Sequence, residues 1–387
     1  MNQRRNPEPP EIDLSELRGK SYSCIDGCAL CCLCQPELLP DEERKFRGSP
    51  ELAAAVTDHH ISPDVKGAAI KLKGAHGSCH FLVNRKCRIY SDRPHYCRAF
   101  PLNVFVGWRI QVNINLSCRG VGLPGENLEK VGQNLMAEYG DDRLRSELST
   151  AKKVFSDFVR NCRAVWVAQS FSSLRETGRA LADELVDRIG LSRLLTYAEH
   201  ARTAQNSAPR DIVKQIRRTE PESDIEERAL IDGTELFDLP DLSLLPIHVD
   251  EDLAWRIFKL EGAEIVGYVL EEDGKTTRFS KTAPSEVELL PMTVEGKRKA
   301  VEYLEIVNSR DCFLGHAAYL CDSENYDFNL AQVYVGALAN NALDLWWRSS
   351  FLAHLKGKND LDEKAISEGI TFFDMDLLDL PTIGAFI

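Results

Sequence analysis

Five cysteines fall within eleven residues near the start of this 387-residue chain, at Cys24, Cys28, Cys31, Cys32 and Cys34. Four more follow at Cys79, Cys87, Cys97 and Cys118, so nine of the twelve cysteines precede residue 119. Thiols at that density either pair as disulfides or hold metal, and the redox compartment decides between the two. The opening stretch MNQRRNPEPPEIDLSELRGK has no apolar run of signal-peptide length. A cytoplasmic protein follows as the expectation, with its thiols kept reduced and free for metal.

Spacing refines the chemistry. In Cys24-x3-Cys28-x2-Cys31-Cys32, the two-residue gap lets both sulfurs of a tight loop turn toward one ion, at about 2.3 Å for zinc. Neighbouring side chains diverge, so the adjacent pair Cys31-Cys32 suggests a loop that feeds two sites or a polynuclear cluster. Cys79, Cys87, Cys97 and Cys118 are widely spaced and need the fold to gather them. Eight thiolates suit two four-cysteine sites, or one cluster plus a reactive site. Zinc and iron both accept four thiolates, so spacing alone does not separate them.

Other groups are weighed beside these eight. Cys34 is a spare thiol, and Cys162, Cys312 and Cys321 read as buried core residues. His76, His80 and His95 flank Cys79 or Cys97 and leave a three-cysteine, one-histidine site open. His59-His60 lies on a stretch that reads as helical and carries little weight. Arg93 and Arg98, set among Pro94 and Pro101, are expected to donate hydrogen bonds to thiolates or carbonyls; the alternative is that Arg98 binds a substrate carboxylate. The chain has no Gly-x-Ser-x-Gly, His-Glu-x-x-His or phosphate loop, and so no hydrolase signature.

Charge is uneven. The chain carries −13 overall, which argues against general nucleic-acid binding. Between Lys66 and Gly120, however, ten basic residues stand against the single acid Asp92, giving that segment about +9. Cations beside thiolates lower their pKa and offset their charge, which is the preferred explanation. A docking face for an acidic protein or an anionic cofactor is the alternative.

The elements that must position these residues can be read by periodicity. Residues 1–20 form a flexible tail, 21–125 a cysteine-cluster metal-binding domain, 126–225 a helical region with linker, and 226–387 a mixed α/β C-terminal domain. Val104, Val106, Trp108, Ile110, Val112, Ile114 and Leu116 alternate with mostly polar residues and predict half-buried strand folded into a hairpin near Gly107. Leu128, Val131, Leu135 and Tyr139 form one helical stripe, and Leu144, Leu148, Ala151, Phe155 and Phe158 another. A third runs through Leu181, Leu185, Ile189 and Leu195. Thr203 to Glu227, with Pro209, Pro221 and many charges, reads as a linker.

Further on, Glu264 to Lys281 predicts a hairpin turning at Asp273-Gly274. Glu295 to Arg310 and Asp327 to Leu355 predict helices. The stretch Phe328–Trp347 is interrupted by Asn329, Gln332, Asn340, Asn341 and Asp344, so it predicts a buried helix and not a membrane span. Asp360 to Ile387 is acidic and ends in an apolar segment that can pack back on the body. Gly120-x-Gly122-x-x-Gly125 has the local setting of a dinucleotide or methyl-donor loop, but no acidic second strand follows and Pro124 sits in the turn. Those glycines are expected to shape the loop next to Cys118.

The ordered motifs then resemble a known family. They are Cys24-x3-Cys28-x2-Cys31-Cys32; Cys79-His80-Phe81-Leu82; Cys87-Arg88-Ile89-Tyr90; Arg93-Pro94 with Cys97-Arg98-Ala99-Phe100-Pro101; and Cys118-x-Gly120-Val121-Gly122. Together they resemble the YkgJ-type cysteine-cluster family, a zinc- or iron-chelating domain defined by eight cysteines. Its counterparts here are Cys24, Cys28, Cys31, Cys32, Cys79, Cys87, Cys97 and Cys118, within a quarter of the chain. Flagellin lysine N-methylases look like distant relatives. That resemblance implies an iron–sulfur protein that methylates a protein substrate with S-adenosylmethionine. The resemblance does not extend residue by residue beyond 125 into that enzyme's body, so no catalytic residue is carried over.

The resulting expectation is an α+β protein with an irregular cysteine-rich N-terminal part, a short β-hairpin, a helical middle and a mixed α/β C-terminal part. It binds an iron–sulfur cluster, or zinc, on the eight cysteines and works with a protein substrate or partner, with no nucleic acid and no membrane. The alternatives are a structural zinc module on a protein-interaction scaffold and a metal- or cluster-handling protein.

Overall fold

In the computed structural model, residues 10–60, 67–74, 76–165, 169–200 and 208–387 are described. The fold is α+β, with small sheets and irregular loops in the N-terminal third and helices dominating the rest.

The alternating segment forms a hairpin, Leu102–Val106 with Ile110–Ile114, turning at Gly107, whose N–H donates to the Arg109 carbonyl. Two segments distant in sequence dock on it. Ile12–Asp13 runs parallel to Ile110–Ile114, and Ala385–Phe386 pairs antiparallel with Leu102–Val106 to complete a four-stranded sheet. The apolar tail therefore does pack back on the body.

One expectation about this hairpin is corrected. Ile110–Ile114 is buried on both faces rather than half-buried. Its polar side chains are covered because they have partners: Gln111 donates to Asp13 and to the Ser309 carbonyl, and Asn113 donates to Glu16. Burial of amide groups is tolerated when such bonds replace water.

The first two helical stripes are found in Leu128–Tyr139 and Asp141–Val165, with Asn127 capping the first and Gly140, at φ +74°, between them. The third stripe breaks up. A helix ends at Ala180, a 3-10 turn covers Glu184–Val186, and a new helix, Arg188–His200, leaves Ile189 57% exposed. The supposed linker also contains a helix, Pro209–Arg218, which buries Ile212, Val213 and Ile216. Proline at its first position suits a helix start, where its missing N–H costs nothing. Residues 203–207 of that linker lie outside the described residues. His59 and His60 are not helical.

The predicted hairpin at Asp273-Gly274 is present as Glu264–Leu270 and Thr276–Thr282. It is the second half of a four-stranded antiparallel meander that begins with Ile247–Val249 and Trp255–Glu261. The main core is built on Leu330–Leu355, a helix buried nearly all round, against which the closing helix Glu363–Leu378 packs. Among the described residues no helix is long and apolar enough to cross a membrane.

A buried ion network ties this body to the cysteine-bearing part. Arg310, fully buried, pairs with Glu16 at 2.9 Å and Asp374 at 2.6 Å and donates to the Ile114 carbonyl. Asp374 of the closing helix also accepts from the Tyr303 hydroxyl and the Leu116 N–H. With several bonds each, these ions offset part of the hydration they lose, and removing one partner would leave the other buried and unpaired.

Candidate metal centre

Four segments carry the clustered cysteines, and local backbone chemistry brings them together. The first is the loop from Ser23 to Cys34. Ala29 adopts φ +50°, a left-handed conformation that non-glycine residues rarely take, and opens a 3-10 turn over Leu30–Cys32. The second is Cys79, whose N–H donates to the Cys32 carbonyl at 2.7 Å. The third holds Cys87, on a two-residue hairpin between Leu82–Val83 and Lys86–Cys87, and runs on to Cys97 on the short helix His95–Ala99. Asn84 and Arg85 at the hairpin tip both have positive φ, as a type I′ turn requires. This hairpin was not read from the sequence, although an asparagine at its tip was a usable signal.

The last segment leads through Cys118 and is held against the first. Ser23 N–H donates to the Gly120 carbonyl at 3.1 Å, and Tyr22 bridges Val121. A Cβ on Gly120 would lie 2.3 Å from the Ser23 carbonyl oxygen, and one on Gly125 2.2 Å from that of Tyr22. The glycines thus serve close packing beside Cys118, as expected.

Cys24, Cys31, Cys32, Cys79, Cys87 and Cys97 line one cavity of about 310 Å³, which Arg93 also borders. Cys28 and Cys118 are buried beside it; the charges of Cys31 and Cys24 bear on both, and that of Cys28 bears most on Cys118. Among the described residues, no three or more His, Cys, Asp or Glu side chains are drawn close enough to hold a single metal ion. No described histidine lines the cavity: His95 is turned against Tyr139 and Glu138, and His80 is exposed. Cys34 does not line it either; its thiol faces Met375 Sδ at 4.0 Å.

The donor set suits a metal held by thiolates. Main-chain N–H groups two residues on donate to four sulfurs: Leu30 to Cys28, Phe81 to Cys79, Ile89 to Cys87 and Gly120 to Cys118. Such bonds favour the charged sulfur. Burial opposes them and wins while no cation is near, pushing Cys79 up to about 11 and Cys118 up to about 12. Cys31 is the exception. A hydrogen bond from Cys32, helped by the charge of Arg93, brings it down to about 7 against the effect of burial. Arg93 also favours the thiolates of Cys87 and Cys97 by its charge, and the hydrogen bond it donates goes to the Tyr90 carbonyl. Arg98 instead bonds the Arg93 carbonyl and pairs with Glu138 and Glu42.

The walls of the site come partly from the C-terminal meander, which the sequence did not announce. Trp255, fully buried, donates from Nε1 to the Cys28 carbonyl at 2.8 Å, and the Arg85 guanidinium lies 3.4 Å above its ring. Glu272 accepts from Lys73 and from the Arg85 N–H, and its carbonyl accepts from Ser78. All twelve cysteines are free. Cys162, Cys312 and Cys321 are buried in the body, as expected, and Cys162 and Cys321 hydrogen-bond to each other there.

Residues 23–119 match the model of the CxxCxxCC family, described as "putative zinc- or iron-chelating domain". No curated protein and no solved structure matches the chain.

Proposed function

Because residues 23–119 match the model of the CxxCxxCC family of zinc- or iron-chelating domains, we propose that this protein binds metal through Cys24, Cys28, Cys31, Cys32, Cys79, Cys87, Cys97 and Cys118, and that the bound group is iron–sulfur in type. The observation that carries the proposal is the gathering of six of these cysteines on one cavity of about 310 Å³. A lone zinc ion holds four sulfurs at about 2.3 Å and leaves no open space among them. Sulfurs that ring an open volume suit a group of several metal atoms, whose outer ligands stand further apart. The four N–H···S donors and Arg93 would then offset thiolate charge. When bound, such a cluster supplies electron-transfer chemistry; the chain's own contribution is to hold it and to limit water with Ile70, Leu82 and Ile89. The proposal includes a reducing, cytoplasmic setting, which free thiols require.

Protein purified without oxygen tests this by its iron, sulfide and zinc content and its visible spectrum. Iron with acid-labile sulfide and a broad visible band is the expected result. A colourless protein holding zinc alone would overturn the iron–sulfur reading in favour of a structural zinc module on an interaction scaffold.

The resemblance to flagellin lysine N-methylases extends the proposal to methylation of a protein substrate with S-adenosylmethionine. Calorimetry of the metal-loaded chain with S-adenosylmethionine tests that extension. Absence of binding removes it and leaves metal binding intact.

A further inference from the structure

The positive charge carried between Lys66 and Gly120 is partly cancelled by the fold, and what is left of it stands at the mouth of the cysteine cavity. Resting on the iron–sulfur reading above, we infer that this mouth is the docking face for a small acidic electron-carrier protein.

Ion pairs with distant parts of the chain do the cancelling. Lys73 pairs with Glu272, Arg98 with Glu42 and Glu138, Arg109 with Asp13 and Asp311, and Arg119 with Glu368. Lys66 lies outside the described residues, and Lys71 bonds the Ala54 carbonyl. The remaining four, Arg85, Lys86, Arg88 and Arg93, follow one another along the hairpin that carries Cys87 and the turn after it. Among the described residues none of the four has a carboxylate at ion-pair distance from its side chain.

Three of them, Arg85, Lys86 and Arg93, line the cavity, against the single lining acid Asp26. Asp92, the acid within the same stretch, is occupied by Lys45 at 2.7 Å. The cavity opens where its lining reaches solvent, at Cys24, Asp26, Lys86 and Tyr90, all exposed. Tyr90 is 58% exposed, and the Arg93 guanidinium braces it from 3.7 Å above the ring while donating to its carbonyl. Val83, paired with Lys86 across the hairpin, is 40% exposed. The exposed side chains of Lys86 and Arg88 make no hydrogen bond among the described residues.

The chemistry of the partner follows from these groups. A tyrosine braced by arginine is the composition that protein interfaces favour, and unpartnered cations around it select a partner rich in carboxylates. Redox encounters between proteins are brief and bury little surface, which suits a patch of a few side chains. A redox group enclosed by protein meets its partner where its ligands reach solvent, and Cys24 is the exposed thiol at this mouth. The net charge of −13 disfavours nucleic acid as the occupant.

The test uses the full chain, loaded with iron and sulfide without oxygen, and two small acidic carriers, a plant-type ferredoxin and a flavodoxin. Binding is measured by calorimetry for wild type, K86E/R88E and the control K297E/R218E, which makes the same change of charge at exposed positions on helices of the body. The expected result is binding of at least one carrier that weakens about tenfold or more between about 20 and 200 mM salt, because screening shortens the reach of surface charge. K86E/R88E should weaken it about tenfold or more at low salt, and the control by less than about twofold. Absence of binding to both carriers, or equal weakening by the two double variants, would overturn the inference. So would a patch that, with no carrier bound, takes a single-stranded oligonucleotide or a second copy of this chain, the latter read by sedimentation. If K86E/R88E fails to fold or to load iron, acetylation of wild-type lysines decides: protection of Lys86 by the carrier supports docking at the mouth, and unchanged reactivity refutes it. Iron and sulfide content, measured first, reports on the functional reading alone. Protein that takes up only zinc fails that reading, whereas iron-loaded protein that ignores both carriers fails the docking inference alone.

Discussion

Arg119, the residue after the last clustered cysteine, grips Glu368 on the closing helix with two N–H···O bonds of 2.9 and 2.7 Å. The same guanidinium donates to the Val249 carbonyl at 2.6 Å, and Ser117 Oγ accepts from the Met375 N–H. The Cys118 loop is therefore clamped by chain 249 residues away, and the cysteine cluster and the C-terminal body share their foundations.

Breaking the clamp should weaken both. Arg119→Met leaves the Glu368 carboxylate, 8% exposed, without its charge partner. Loss of one partner from a buried pair costs about 3 kcal/mol at the lower end of the usual range. Stability from urea unfolding is expected to fall by that amount, with metal content falling alongside because Cys118 loses its anchor. An unchanged midpoint would show that the pair contributes nothing net.

The clamp also carries a pH dependence. Burial would raise the Glu368 pKa, but hydrogen bonds from His248 and Arg119 and the charge of Arg119 hold it at about 2. A carboxylate whose folded pKa lies below its unfolded value of about 4.3 adds stability above that value and loses it as pH falls toward 2. The stability difference between wild type and Glu368→Gln, measured on metal-free protein, should be constant above about pH 5 and shrink on acidification. A difference that stays flat down to about pH 2 refutes the assignment.

Trp255 should report on the site. Trp255→Phe removes the donor to the Cys28 carbonyl. An unmatched buried carbonyl costs about 1–3 kcal/mol, seen as a lower denaturation midpoint. Trp255 emission is expected to change on metal loading, so the variant should lose most of the metal-dependent fluorescence signal. A full signal in the variant would assign it to another tryptophan.

Gly77 sits where the Cys79 loop crosses the meander turn. A Cβ there would lie 2.3 Å from the Lys73 carbonyl oxygen and 2.6 Å from the Gly274 nitrogen. Backbone atoms do not yield as a side chain does, so Gly77→Ala is expected to cost at least about 1–3 kcal/mol. Gly122→Ala meets no atom within 4 Å and is strained only by its φ of +89°, at about 1–2 kcal/mol. Thermal melts of the two variants should rank them in that order, with Gly77→Ala lower.

Cys34 follows Cys32 by two residues, yet its sulfur faces Met375 and not the cavity. Cys34→Ser should therefore leave metal content unchanged in elemental analysis. A loss comparable to that of Cys97→Ser would bring Cys34 into the ligand set.

The sequence by itself determined the chemistry. Thiols at Cys24-x3-Cys28-x2-Cys31-Cys32 are a local pattern, and so are the period-two run around Gly107 and the stripes from Leu128 to Phe158, because each depends on residues a few positions apart. The tertiary structure decided what stands around that chemistry. Trp255 against Cys28, Glu272 under Arg85 and Glu368 on Arg119 are contacts across 187 to 249 residues, and no periodicity encodes them. It also decided that Gln111 and Asn113 are buried, since a polar side chain reads as exposed until its distant partners are known. The gathering of cysteines from four segments belongs to the same class. Spacing supplied the ligands, and only long-range packing could bring Cys79, Cys87 and Cys97 to the loop that carries Cys31 and Cys32.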